Sequence, residues 1–291
     1  MAVPGERSMN GDFPIQLGIS TCPNDTFAFH ALMTRQVDWR GLDFHVELLD
    51  IQQLNERLFA GELDIAKASF HAALMLARSC WVLPSGSALG FGVGPLLLAA
   101  KAGTLPQFGD HQLTLCPGEL TTATLLFRLF YPHQTRIEQT RFSQIMPSLS
   151  GGDADFGVCI HEGRFTWQQA GLAMVEDLGS RWEQETNCPL PLGGIVARRS
   201  LPTDVIRKAH GVIRDSIDYA IRQPAAALPT MRRHAQEFDD RVLMQHVDLY
   251  VNRWTRDLGA EGRRALEELS RRAQAAAIVA TQSQLEIFSM A

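Results

Sequence analysis

Four short stretches carry side chains able to act on a small molecule. Lys67-Ala68-Ser69 closes the apolar run that begins at Leu63, Thr121-Thr122-Ala123 opens a helical pattern, Asn24-Asp25 follows Pro23 in a turn, and His161 ends the run FGVCIH. In open parallel α/β sheets, ligands sit beyond the carboxyl ends of the strands, where helix amino ends point free N–H groups outward. All four stretches take such positions. A cation, hydroxyls and helix N–H groups suit an anion, so the expected guest is a small carboxylated molecule. His161, followed by the polar turn Glu162-Gly163-Arg164, offers an imidazole that can accept a proton near neutral pH as a general base. Plainer roles stand beside these: Thr121 and Thr122 also suit helix capping, Lys67 a salt bridge, and His161 a structural histidine.

Other chemistries fit less well. HEGRF departs from H-E-x-x-H because Phe165 stands at its fifth place, and no His, Cys and Asp cluster has a metal-ligand spacing, so no metal is expected. GFGVGP has Pro95 where a dinucleotide loop needs glycine, and neither a Walker loop nor a G-x-S-x-G elbow is present. Cys22, beside a helix start, lacks a nearby base in the sequence and reads as a structural thiol.

The elements that must position these residues alternate as in linked βαβ units. Strands are expected at Ile15 to Ser20, Phe44 to Leu49, Leu63 to Ala68, Pro95 to Ala100, Gln112 to Cys116, Phe156 to His161 and near Ile195 to Ala197. Asp50 is expected to cap a helix carrying Leu54, Leu58 and Phe59 on one side, and Ser69 to open another. The last ninety residues read as helical, with apolar spacing through Val205, Ile213, Ile217 and Ile221, then Val242, Val247, Leu249 and Val251. Such residues can serve a homodimer as easily as a core. Packing that tail onto the first lobe makes the chain cross twice, giving an α/β fold with a large lobe of residues 13–102 plus 200–291 and a small lobe of 103–199. Breaks in the apolar pattern put the hinge near Lys101 to Leu105 and Arg198 to Thr203. Residues 1–12 are expected to be a disordered extension.

Bulk properties narrow the field further. The chain has 291 residues, 45% hydrophobic and 20% charged, as in ordinary globular proteins. Its net charge of −5 argues against a nucleic-acid partner, and the Arg pairs at 232/233, 263/264 and 271/272 lie among acidic residues on solvated helix faces. Five scattered cysteines without a C-x-x-C pair, and a start without an apolar signal, point to reduced thiols in the cytoplasm. Cys80 to Ala100 is uncharged and long enough to span a bilayer, but Pro84, Gly86, Gly90, Gly92, Gly94 and Pro95 break it, so no membrane partner is expected.

The stretches STCPNDTFAFHAL (20–32), DIAKASFHA (64–72), GSALGFGVGPLL (86–97), PGELTTATLLF (117–127), IHEGRFT (160–166), NCPLPLGGIVARR (187–199) and HVDLYVN (246–252) together resemble the 1,4-dihydroxy-6-naphthoate synthase family. The likeness runs collinearly over nearly everything after residue 12. It implies the two-lobed type II periplasmic-binding-protein-like fold with an inter-lobe cleft, and a lyase of the futalosine route to menaquinone. That family's reaction turns cyclic dehypoxanthinyl futalosine into 1,4-dihydroxy-6-naphthoate and dihydroxyacetone, without metal or nucleotide cofactor. The family's proton-accepting histidine falls on His161, its Lys-x-Ser on Lys67 and Ser69, and its Thr-Thr-Ala on Thr121, Thr122 and Ala123. Two rivals share the fold: chorismate dehydratase of the same pathway, and a non-catalytic solute-binding protein.

Overall fold

The computed structural model describes residues 14–160, 163–234 and 239–290. Their strands are β1 (Ile15–Ser20), β2 (Phe44–Leu49), β3 (Ile65–Ser69), β4 (Cys80–Val82), β5 (Ala88–Gly90), β6 (Leu96–Ala99), β7 (Leu113–Cys116), β8 (Arg136–Gln139), β9 (Phe156–Cys159), β10 (Ala173–Asp177) and β11 (Leu190–Arg198). They form two sheets, one ordered β2-β1-β3-β11-β4 with β5 also on β11, the other β10-β6-β9-β7-β8. β1, β2 and β3 run parallel, as do β7, β8 and β9, whereas β11 and β6 run against their neighbours.

That topology corrects the expected crossing points. β6 bonds to β9 in the second sheet, Leu96 facing Cys159, and β11 bonds to β3 in the first, Ile195 facing Lys67. The chain therefore passes between sheets at residues 91–95 and again between Asp177 and Leu190, not at 101–105 and 198–203. Glycine, proline and charge mark surface turns, and 101–105 is such a turn; an apolar strand buried on both faces carries no mark of the sheet it joins. Residues 1–12, expected to be disordered, lie outside the described residues.

Local chemistry explains the helices that frame the cleft. Asp50 accepts from the backbone N–H groups of Gln52 and Gln53 while Gln53 reaches back, a capping box, and Gly61 ends the helix Ile51–Ala60 at φ 81°. Pro23–Ala28 and His30–Met33 are separate short helices joined at Phe29. The helix Thr203–Arg222 lays Ile206, Ile213 and Ile217 on the first sheet beside Leu17, Ile19 and Ile195. Each such burial contributes about 1.5–3 kcal/mol, so these residues fix the helix while Ile221, left exposed, does not. A second cluster runs without interruption from Leu54, Leu63 and Phe70 to Leu97, Phe127, Phe156 and Trp182, so the core is shared by both lobes.

The uncharged stretch from Cys80 yields three short strands, broken by positive φ at Gly86, Gly92 and Gly94. No described helix is long and apolar enough to cross a membrane. The arginines at 232, 271 and 272 pair with Asp240, Glu268 and Glu185.

Candidate active site

Three helix amino ends meet at one cleft. Cys22, Ser69 and Thr121 are the N-cap residues of Pro23–Ala28, Phe70–Met75 and Thr122–Phe130, and all three line it. The first two belong to the first lobe and the third to the second. With them the lining includes Ser20, Asn24, Asp25, Lys67, Thr122, Ala123, Leu192, His246 and Tyr250. The cleft, its open mouth included, holds about 750 Å³ of empty space.

The structure thus brings together Asn24, Asp25, Lys67, Ser69, Thr121, Thr122 and Ala123, as the strand-end rule expects. Ala68 is different: its side chain packs into the hydrophobic core. His161 lies outside the described residues, although Ile160 just before it lines the cleft.

Lys67 lines the cleft and is already paired inside the protein. Its Nζ donates to Asp25 Oδ1 at 2.7 Å and to the Gly86 carbonyl at 3.1 Å, and the pair is buried, with side chains 6% and 4% exposed. Asp25 Oδ2 also accepts from Ser20 Oγ at 2.5 Å. A cation this deep needs a partner, and the chain supplies it internally. The ionic charges of Lys67 and Asp25 cancel, so the pull on an anion comes from helix ends: the N–H groups of Thr122 and Ala123 open a helix and have no intrahelical acceptor.

The hydroxyls hold the lobes against each other. Ser69 Oγ donates to the Leu120 carbonyl and accepts from Ala72 N, Thr122 Oγ1 donates to the Leu192 carbonyl at 2.6 Å, and His71 Nδ1 lies 3.3 Å from the Thr121 carbonyl. Thr121 Oγ1 accepts from Thr124 N, an ordinary cap. Burial pushes the His71 imidazole down to about 4, so it sits neutral at this contact.

Sequence reasoning passed over His246 and Tyr250 as site residues. They stand four apart on the helix Asp240–Tyr250, which puts both on one face, with ring centroids 4.5 Å apart. His246 Nε2 is 3.1 Å from Asn24 Oδ1. Burial pushes the Tyr250 phenol up to about 12, keeping it a proton-bearing group. The spacing within HVDLYVN was the available signal; a rule that looks only at strand ends cannot see a helix returning from the tail.

All five cysteines are free, and no group of three metal-ligating side chains occurs among the described residues. The menaquinone-biosynthesis family matches residues 15–275. A 1,4-dihydroxy-6-naphthoate synthase of Thermus thermophilus is 40% identical over 266 residues, 91% of this chain and 96% of that protein. A crystal structure of an Archaeoglobus fulgidus protein superimposes with a TM-score of 0.84 at 28% identity, covering 91% of this chain and 98% of that one. The alkanesulfonate-binding protein of Xanthomonas axonopodis pv. citri, bound to MOPS, shares the fold alone, with a TM-score of 0.68 at 11% identity and coverage of 94% and 96%. A cleft between two lobes of the type II periplasmic-binding-protein kind, and likeness to a synthase along nearly its whole length, lead to one assignment: the chain belongs to the menaquinone-biosynthesis family, among its 1,4-dihydroxy-6-naphthoate synthases.

Proposed function

We propose that this protein is the carbon–carbon lyase that converts cyclic dehypoxanthinyl futalosine to 1,4-dihydroxy-6-naphthoate and dihydroxyacetone. The observation that carries the reading is the convergence of helix amino ends from both lobes on one cleft whose fixed ionic charges cancel. Such a cleft favours a carboxylate through oriented N–H groups. The N–H groups of Thr122 and Ala123 take the carboxylate, while the Ser69 and Thr121 hydroxyls, bonded within the protein, hold the helix ends that present them.

His161 acts as the general base. It takes a hydroxyl proton from the sugar-derived part, the carbon–carbon bond breaks, and formation of the aromatic ring drives the fragments apart. Lobe closure holds the reacting groups in register and excludes water. Free thiols throughout suit a reducing compartment, in keeping with a cytoplasmic enzyme.

Purified protein mixed with the cyclic compound should release naphthoate over many turnovers, followed by its absorbance. Saturation at one equivalent without product would instead mark a solute-binding protein, and product from chorismate alone a dehydratase. His161→Ala is expected to lower turnover roughly 10²- to 10⁴-fold with an unchanged melting temperature. Near-normal turnover would remove His161 from the mechanism.

A further inference from the structure

A second groove lies on the first lobe and shares no lining residue with the cleft. The helix Thr203–Arg222 packs Ile206, Ile213 and Ile217 on the sheet and turns Arg207, His210, Gly211 and Arg214 to this groove, at the spacings of three and four that make one helix face. Arg40, from the loop before β2, and Arg263, from the helix Gly259–Ala275, line it too. The groove, its open mouth included, holds about 1310 Å³ of empty space. Four arginines stand there against two carboxylates, Asp215 and Asp257, in a chain whose net charge is −5. Arg40 pairs with Asp215 at 2.6 Å, whereas Arg207, Arg214 and Arg263 make no ion pair among the described residues. Gly211 explains how Arg40 is seated. A Cβ there would fall 2.5 Å from Arg40 Nη1 and 2.7 Å from Cζ, so an alanine would displace the guanidinium from the helix. His210 supplies a different group. It is 2% exposed, and Ser85, whose hydroxyl donates to the Arg256 carbonyl at 2.7 Å, can only accept from Nε2 at 2.9 Å. Nε2 therefore carries the proton. Burial, and then the Arg214 charge, hold the ring below its ordinary pKa, so Nδ1 is a bare acceptor, and it has no partner. A buried acceptor left unbonded costs about 1–3 kcal/mol.

We propose that this groove binds inorganic phosphate as the hydrogen phosphate dianion, its unprotonated oxygens on Arg207, Arg214 and Arg263 and its P–O–H donating to His210 Nδ1. Planar guanidinium groups match phosphate oxygens in paired hydrogen bonds. Hydrogen phosphate carries both the charge that the arginines attract and the proton that the imidazole lacks. Sulfate brings the charge alone, and a phosphomonoester has given up its second proton by neutral pH. The site is independent of the lyase reading, since none of its residues touches the cleft.

The test is isothermal titration calorimetry on the full chain at about pH 8, where the anions compared are all dianions, with inorganic phosphate, sulfate and glycerol phosphate as titrants. Phosphate should bind about tenfold or more tighter than either rival, the worth of one hydrogen bond to a charged group. Arg207 and Arg263 are exposed, so the double variant Arg207→Gln/Arg263→Gln should keep the wild-type melting temperature. Its affinity for phosphate should fall about tenfold or more. Unchanged affinity in that variant would place the ion elsewhere and overturn the proposal. Sulfate or glycerol phosphate bound as tightly as phosphate would overturn it as well, and saturation only above about 10 mM would mark an adventitious ion only.

Discussion

Replacing Lys67 by methionine removes one charge and little volume, and its outcome separates a structural ion pair from a substrate clamp. At 2.7 Å the two charges attract by ~6 kcal/mol if the effective dielectric constant is about 20. Desolvating two ions offsets most of this, since each loses several kcal/mol of hydration, so the intact pair adds little net stability. The single substitution behaves differently, because it leaves the Asp25 carboxylate, 4% exposed, without its cation. Stranding a buried charge costs about 3–5 kcal/mol. At roughly 2–4 °C per kcal/mol, the melting temperature should fall by on the order of 10 °C. Asp25→Asn should cost about as much for the mirror reason, and the double variant Asp25→Asn/Lys67→Met should regain most of the loss, with a coupling of ~3 kcal/mol in the cycle. Differential scanning calorimetry on the four proteins reads this directly. An unchanged melting temperature in Lys67→Met together with a raised KM would refute the reasoning and return Lys67 to the substrate carboxylate.

Two further perturbations test other parts of the structure. His71 is held near 4 by burial, below its ordinary 6.5, so the unfolded chain takes up that proton first. Its contribution is therefore complete above about pH 6.5 and is lost as pH falls toward 4, on the order of 3 kcal/mol in all. Urea midpoints across that window should show a shallower slope in His71→Gln, though His30 and His210, shifted the same way by burial, keep some of it. An unaltered slope would remove His71 as a source. At Gly179, on the first turn of Leu178–Thr186, a Cβ would fall inside the contact distance of the Val93 carbonyl, which is backbone and cannot turn aside. Gly179→Ala should destabilise by roughly 3 kcal/mol or more, and wild-type stability would mean that the crossing segment gives way easily.

The strand ends were legible because the apolar runs of β1 and β3 stop at polar, helix-opening residues; that is why Asn24, Ser69 and the Thr121 region could be placed from sequence. The partner of Lys67 was not, since Asp25 lies 42 residues away and nothing local distinguishes a cap-region aspartate from one that turns inward. Short strands such as β4, β5, β8 and β10 have three to five residues each and leave too little pattern to detect. His246 escaped for a related reason. Its helix belongs by sequence to the tail, and only the packing of that tail on Pro23–Ala28 brings it to Asn24.

The place of β11 sets an order of assembly during synthesis. It lies between β3 and β4, pairing residues 193–197 with 65–69, yet it is made only after every strand of the other sheet has emerged. The second sheet, contiguous from Leu96 to Asp177, can therefore close first, while β3, buried along its whole length in the finished fold, waits with an unpaired edge. Such an edge invites pairing with other chains. A nascent chain stalled before Leu190 should accordingly be sticky and need chaperone cover; arrival of this one late strand should join β3 to β4, and the helix Asp240–Tyr250, made later still, should then close the cavity with His246 and Tyr250.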